Sequence, residues 1–229
     1  MTQRLYYDDS YLTAFEATVL GHGDGGRLYL DRSAFYPTSG GQQFDVGWLR
    51  AADAPAGDAA AQLSVVDVVD EGERVAHVLA EADARRLADG ARVVAQLDWA
   101  RRFDHMQQHT GQHLLSAVFQ ELLGLGTLSV HFGADSSTLD LDAGSLAPEQ
   151  VQAAEERVNA LIFENRPVTA GVEEAAEGLR KQSTRSGPLR IVSIAELDRS
   201  ACGGTDHQNQ DGVELEIPRP PRDVLPCRR

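Results

Sequence analysis

The apolar positions of the first hundred residues come in short runs. Arg27–Leu30 and residues 63–69, 75–79 and 93–97 are rich in Val and Leu, with Gly and Asp between them. Runs of this length bounded by turn formers predict β-strands, here a meander or small barrel. Residues 51–61 (AADAPAGDAAA) are biased toward Ala, Asp, Gly and Pro and predict a solvent loop between two strands. Residues 81–88 are expected to make a helix of about two turns.

From Asp98 onward the period lengthens. Met106, Thr110, His113, Ala117 and Leu122 recur at steps of three to five. This predicts a helix over 103–123, with Asp104 as N-cap and Gly124 as its stop. Two short strands are expected at 128–132 and 138–141. Pro148 then takes a first helical position. Val151, Ala154, Val158, Leu161 and Ile162 form the stripe of a second long helix, closed by Asn165, Arg166 and Pro167. A third helix is expected over 172–179 and a buried strand over Leu189–Ile194. The change of period divides the chain near residue 95. The expected fold is α+β: a small N-terminal β-barrel-like domain, 1–95, then an α/β domain, 96–229, with helices packed on an antiparallel sheet.

Composition narrows the function. The chain has 229 residues, 42% hydrophobic and 24% charged, ordinary values for a globular protein. Lys+Arg number 21 and Asp+Glu 35, a net charge of −14. That excludes a generic DNA-coating protein, which draws on a basic surface, but leaves room for one local nucleic-acid patch. Basic residues do gather at Arg101 and Arg102 and again at Arg180, Lys181, Arg185 and Arg190. The stretch 179–190 is a candidate phosphate contact, or else a solvated helix end. No apolar run is long enough for a membrane helix. The segment 1–9 carries Asp8 and Asp9 and no apolar signal core, so a cytoplasmic protein is expected. Two cysteines, Cys202 and Cys227, make no disulfide framework.

Three segments carry candidate chemistry. In residues 109–113 (HTGQH), His109 and His113 stand at i and i+4, on one helix face. Two such imidazoles suit one Zn²⁺, or two half-buried structural histidines. Thr110 stands where a zinc protease needs Glu, which disfavours that class. Gly111 leaves space for close approach, by a ligand or by a neighbouring strand. His105 extends the run, but three histidines spread over about 12 Å of axis cannot share an ion, so His105 is read as structural. In residues 201–207 (ACGGTDH), a thiol, two glycines, an acid and an imidazole suit a metal-binding turn. Together the two segments supply two His, one Cys and one further His or Asp, a full tetrahedral set. Residues 35–43 (FYPTSGGQQ) predict a rigid loop that displays polar groups, or a plain tight turn.

These motifs, HTGQHLL at 109–115, CGGT at 202–205 and FYPTSGGQ at 35–42, stand in an order and spacing that resembles the free-standing alanyl-tRNA editing proteins of the AlaX type. That group is similar to the editing region of alanyl-tRNA synthetase. The likeness runs from about Tyr6 to Thr205, and 65–79 and 101–108 (RRFDHMQQ) match as well. It implies trans hydrolysis of mischarged tRNA for alanine, chiefly seryl-tRNA, with glycyl-tRNA second. It implies one Zn²⁺ held by an HxxxH helix and a CxxxH loop, with His109, His113 and Cys202 as ligands. It also implies a glycine-rich loop, here 39–42, that faces the editing pocket.

The chain departs from the family pattern in three places. Ser39 replaces the first glycine of the usual GGGQ loop. Asp206 fills the fourth ligand position, and a histidine stands one place later, at His207. Position favours Asp206; the chemistry of a thiolate site favours His207, which is the expected fourth ligand. The end of the chain is proline-rich, and only the alternating 213–217 segment resembles a closing strand. On the glycine-rich loop, Thr38 and Gln42 are the expected groups that read the serine hydroxyl. Two other classes stay open: a catalytically silent tRNA-binding module and a zinc hydrolase of small esters.

Overall fold

The computed structural model describes residues 1–55, 57–133, 136–174, 177–181 and 187–206. His207, Arg185, Cys227 and the alternating 213–217 segment lie outside these residues. The strands in chain order are β1 (Gln3–Arg4), β2 (Ala14–Gly23), β3 (Arg27–Leu30), β4 (Arg32–Ser33), β5 (Gly47–Ala51), β6 (Leu63–Val65), β7 (Asp67–Asp70) and β8 (Val75–Val78). After helix α1 (Glu81–Ala84) come β9 (Arg92–Leu97), α2 (Trp99–Leu123), β10 (Thr127–Phe132), β11 (Ser137–Leu141), α3 (Pro148–Glu164), β12 (Val168–Glu173), β13 (Leu189–Ile194) and β14 (Asp198–Ala201).

Seven strands form one antiparallel sheet in the order β6-β5-β9-β2-β3-β8-β7. Its centre, β2, alternates Phe15, Ala17 and Val19 inward with Ala14, Glu16 and Leu20 outward, the period of a half-buried strand. That signal is present in the sequence but lies outside the Val/Leu runs. The sheet does not close into a barrel. Its edges, β6 and β7, are separated in sequence only by Val66, whose N–H turns to Val78 O at 2.9 Å. The sheet therefore curls until its edges meet without a ladder between them. The single strand expected over 63–69 is broken at that point. Phe15, Leu28, Leu30, Phe35, Leu49 and Val93 fill the interior.

The chain leaves β9 directly into α2. Asp98 is the N-cap, its carboxylate accepting Arg101 N–H at 3.2 Å, and Gly124 ends the helix in the left-handed region. The expected start at Asp104 is more than a turn late. Arg102, a charged residue, gives no apolar signal, yet it is fully buried against Asp45, Ala34 O and Ser10 O. One face of α2 joins α3 and the three-stranded antiparallel sheet β12-β13-β14 in a second core, built from Leu114, Val118, Val158, Leu161, Val192 and Ile194. Among the described residues of 172–179 the expected helix is not formed. Val172 and Glu173 end β12, paired with Arg190 and Leu189, so pairing to β13 overrides local preference. The helix expected over 81–88 is shortened to the four residues of α1. Among the described residues no helix is long and apolar enough to cross a membrane.

Candidate functional site

The 202–206 loop closes over α2 at the two histidines. His109 and His113 stand one turn apart, their rings 4° from parallel with centroids 5.2 Å apart. Cys202 leaves the end of β14 and sets Sγ 3.1 Å from His109 Nε2. One ligand atom each from His109, His113 and Cys202 lie within 4.8 Å of one another. The sequence-predicted trio is thus assembled from a helix and a loop 93 residues apart. Gly204 permits this. A Cβ at that position would stand 1.8 Å from His109 Cε1, so only glycine lets the loop lie against the imidazole.

Each imidazole is oriented from behind. Gln42 Oε1 accepts His109 Nδ1–H at 2.9 Å and Thr205 N–H at 3.2 Å, while Gln42 Nε2 donates to Thr205 Oγ1 at 2.7 Å. A backbone N–H only donates, so it fixes which end of the amide is oxygen and hence which His109 nitrogen carries hydrogen. His113 Nδ1 donates to Asp198 Oδ2 at 3.3 Å. Asp198 is held in turn by Arg180 Nε at 2.7 Å and Ser200 Oγ at 2.8 Å. Both histidines keep Nε2 for the interior of the cluster, the arrangement in which outer partners fix the tautomer of a ligating imidazole.

The protons of the cluster are set by mutual attraction against burial. Burial pushes the Cys202 thiol up, and the neighbouring His109, hydrogen-bonded to it, and His113 bring it down to about 6. Burial lowers His113, and its bond to Asp198 and the charge of the nearby Cys202 raise it to about 10. Burial raises Asp198, and His113 and Arg180 hold it down at about 2. His109 is likewise raised, against its burial, by Cys202 and Asp206. The cluster thus favours a thiolate held by neighbouring imidazoles, where a cation can take the place of protons.

His113 Nε2 and both carboxylate oxygens of Asp206 are buried without a hydrogen-bond partner. A set of two imidazole nitrogens and a thiolate around orphaned buried atoms fits a borderline-soft divalent ion such as zinc. His105 also has an orphaned Nδ1 but is not part of the assembled trio.

The cluster opens onto a cavity of about 1020 Å³. Ser39 and Gly40 of the glycine-rich loop line one wall, and Arg4, Arg180, Lys181 and Arg190 line others. Of the two loop residues expected to read substrate, Gln42 is fully buried behind His109, and Thr38 is exposed with its Oγ1 accepting Phe44 N–H at 3.2 Å. The basic residues at 180, 181 and 190 face the cavity, whereas Arg102 is committed inside the protein to Asp45. Sequence reasoning misses Asp198, Thr205 and Asp45. Asp198 has one visible signal, an acid leading into a strand next to the cysteine loop.

The family described as tRNA synthetases class II (A) matches residues 11–101. The alanyl-tRNA editing protein AlaX-M of Methanosarcina acetivorans is 33% identical over 233 residues, covering 94% of this chain and 93% of its own length. The alanyl-tRNA editing protein AlaX-L of Pyrococcus horikoshii is 32% identical, over 90% of this chain and 51% of its own. The alanine–tRNA ligase of Metallosphaera sedula is 32% identical, over 91% of this chain and 23% of its own. The chain thus spans about half the length of AlaX-L and nearly all of AlaX-M. On this likeness along almost its whole length, the chain belongs to the alanyl-tRNA editing proteins.

Proposed function

We propose that this protein is a trans-acting hydrolase of mischarged tRNA for alanine, with seryl-tRNA the main substrate and glycyl-tRNA the second, and that it carries one zinc ion. The observation that carries the reading is the His109, His113 and Cys202 cluster, preassembled at the wall of a cation-bearing cavity. Membership of an alanyl-tRNA editing family names the substrate class.

His109, His113 and Cys202 would hold the ion, with Gln42 and Asp198 fixing the two imidazoles. A bound zinc supplies Lewis-acid polarisation of an ester carbonyl or of water. The chain's own residues do the rest. Arg180, Lys181 and Arg190 place positive charge on the cavity wall, where the phosphates of a tRNA end would lie. Gly40, at φ 59°, turns the glycine-rich loop so that Ser39 and Gly40 face the cavity. We assign discrimination of serine from alanine to this loop, whose Ser39 and Gly40 line the cavity, with Thr38, exposed beside that lining, as the hydroxyl partner and Gln42 as the residue that holds the loop to His109. A site built around a hydroxyl is left with an unpaired group when alanine enters.

A division near residue 95 suits this arrangement. One core is filled from residues between Phe15 and Leu97 and the other from Leu114 onward. Gln42 then reaches from the first unit to the ligand set of the second.

The deciding experiment is deacylation of seryl-tRNA for alanine by zinc-loaded protein. Release of serine well above the spontaneous rate is expected, with alanyl-tRNA spared. Binding without turnover would instead identify a silent tRNA-binding module. Turnover of a small seryl ester with none on charged tRNA would identify a small-ester hydrolase.

A further inference from the structure

We propose that Asp206 is the fourth metal ligand of this chain, and that Arg190 holds its outer oxygen. This rests on the zinc reading above and deepens it: the family pattern reaches Asp206 by position alone, with an acid where a histidine is usual, and the three atoms already within 4.8 Å of one another are those of His109, His113 and Cys202.

His113 Nε2 is buried, and its Nδ1 is already used by Asp198. The carboxylate of Asp206 is buried too, the residue being 5% exposed, and neither oxygen has a hydrogen bond. The two groups face each other: Asp206 Oδ1 is 3.6 Å from His113 Nε2. That is too long for a hydrogen bond. It is close to the separation of two donors on one tetrahedral ion, about 3.3–3.6 Å from ordinary zinc–donor bond lengths. Two bare polar groups kept so close and so dry are costly unless something sits between them.

The backbone supports the same reading. Thr205, one residue before, is tied by Gln42 on both its N–H and its hydroxyl. The residue that orients His109 therefore also fixes where Asp206 emerges. On the far side, Asp206 Oδ2 is 3.8 Å from Arg190 Nη1, and Arg190 donates to Cys202 O at 3.0 Å. Arg190 is thus fastened to the ligand loop and presents charge to the oxygen that does not face His113, as an outer partner does for a ligating carboxylate.

The chemical consequence is a change of charge. A thiolate and a carboxylate together neutralise a divalent ion, whereas a histidine in the fourth place would leave one positive charge. Positive charge on the cavity side then comes from Arg190, which lines it. An oxygen donor also makes the set harder and more tolerant of cobalt.

The test is metal affinity of the full chain, measured by zinc titration against a chromophoric chelator, together with the visible spectrum of the Co²⁺ form. Asp206→Ala is expected to weaken zinc by more than the about 10–100-fold typical of losing an outer partner, and to alter the Co²⁺ bands. Asp206→His should keep tight zinc binding, which guards against a variant that merely misfolds. His207→Ala should bind zinc like the parent, and Arg190→Met should fall between parent and Asp206→Ala. Full zinc affinity in Asp206→Ala, or a loss in His207→Ala as large as in Asp206→Ala, overturns the proposal while leaving the zinc reading intact. A parent chain that takes up no zinc overturns both.

Discussion

Two buried histidines show how differently this chain treats its two cores. His77 lies in the seven-stranded sheet and His113 on α2, and both are at most 3% exposed. His77 Nδ1 donates to Leu28 O at 3.2 Å, and Ser33 Oγ donates to His77 Nε2 at 2.7 Å, so both ring nitrogens are closed off. Burial without an opposite charge drives its pKa down to about 4, and it is neutral at every physiological pH. His113 has Asp198 behind it, an orphaned Nε2 in front, and a pKa raised to about 10 despite burial. The same side chain is thus a finished structural part in one core and an open valence in the other. The open one is where chemistry belongs, because a native fold closes its buried polar groups unless something else is to bind them.

The comparison is tested most severely by removing a member of the open cluster. Cys202→Ala or His109→Ala should lower zinc content from about one per chain toward zero. Each should also lower the melting temperature by roughly 15 °C, since the binding energy of a metal assembled from a helix and a loop is folding energy. Exhaustive chelation of the parent should reproduce the same melting curve. Metal analysis with calorimetry checks this, and variants that melt like the parent would make the cluster as closed as His77.

Next in size is a closed polar group of the first core. Asp45 takes Arg102 and also Tyr36 N–H at 2.6 Å, and its own N–H donates to Tyr36 O at 3.0 Å. Asp45→Ala would strand a buried guanidinium, at a cost of about 3–5 kcal/mol by urea denaturation. Zinc content should stay unchanged when the variant is folded. A neutral effect would mean that water replaces the carboxylate and that this core is less closed than its bonds imply.

These cases also show what can be read from residues alone. The cluster of two histidines and a cysteine is legible because its residue types are rare and its spacing within the helix is fixed. The strands rich in Val and Leu are legible for the same reason of pattern, as is α3, with Pro148 at its first position. The partners are not legible. Gln42 reaches His109 over 67 positions and Asp198 reaches His113 over 85, and no local period encodes such a meeting. Arg102 conceals the first turn of α2 because a charge that is buried through pairing looks like surface in sequence. The end of β12, Val172 and Glu173, reads as the start of a helix because the exposed Val172 sits in a ladder that only β13 imposes.

A pH experiment separates the two histidines directly. For His77 the folded pKa of about 4 lies below the ordinary 6.5. The unfolded chain therefore takes up the proton first, and stability is lost as pH falls from 6.5 through about 4. The drop over that window is at most about 3 kcal/mol, because each tenfold difference in proton affinity between the two states is worth about 1.36 kcal/mol. His77→Gln should remove that part of the slope whatever it costs at neutral pH. Loss of zinc in acid affects both proteins alike, so the difference between their urea midpoints from pH 7 to 4 isolates His77. Parallel midpoints would show that His77 takes up its proton alike in the folded and unfolded chain, with no depression by burial.

The smallest effects sharpen the contrast within one loop. Gln42 is buried and acts through His109, whereas Thr38 is exposed at the surface. Gln42→Ala should therefore weaken zinc by about 10–100-fold and slow seryl- and glycyl-tRNA deacylation alike. Thr38→Val should leave zinc untouched. Its hydroxyl accepts Phe44 N–H and still has a proton to donate, so its loss should slow the seryl substrate selectively, by roughly 2- to 10-fold, the worth of one hydrogen bond. Rates on both charged tRNAs, measured beside zinc affinity, place each residue. Equal slowing by Thr38→Val would make Thr38 structural and move recognition of serine to the backbone of Ser39 and Gly40, which line the cavity. Selectivity lost in Gln42→Ala at full zinc occupancy would show that the amide reads the substrate as well as holding His109.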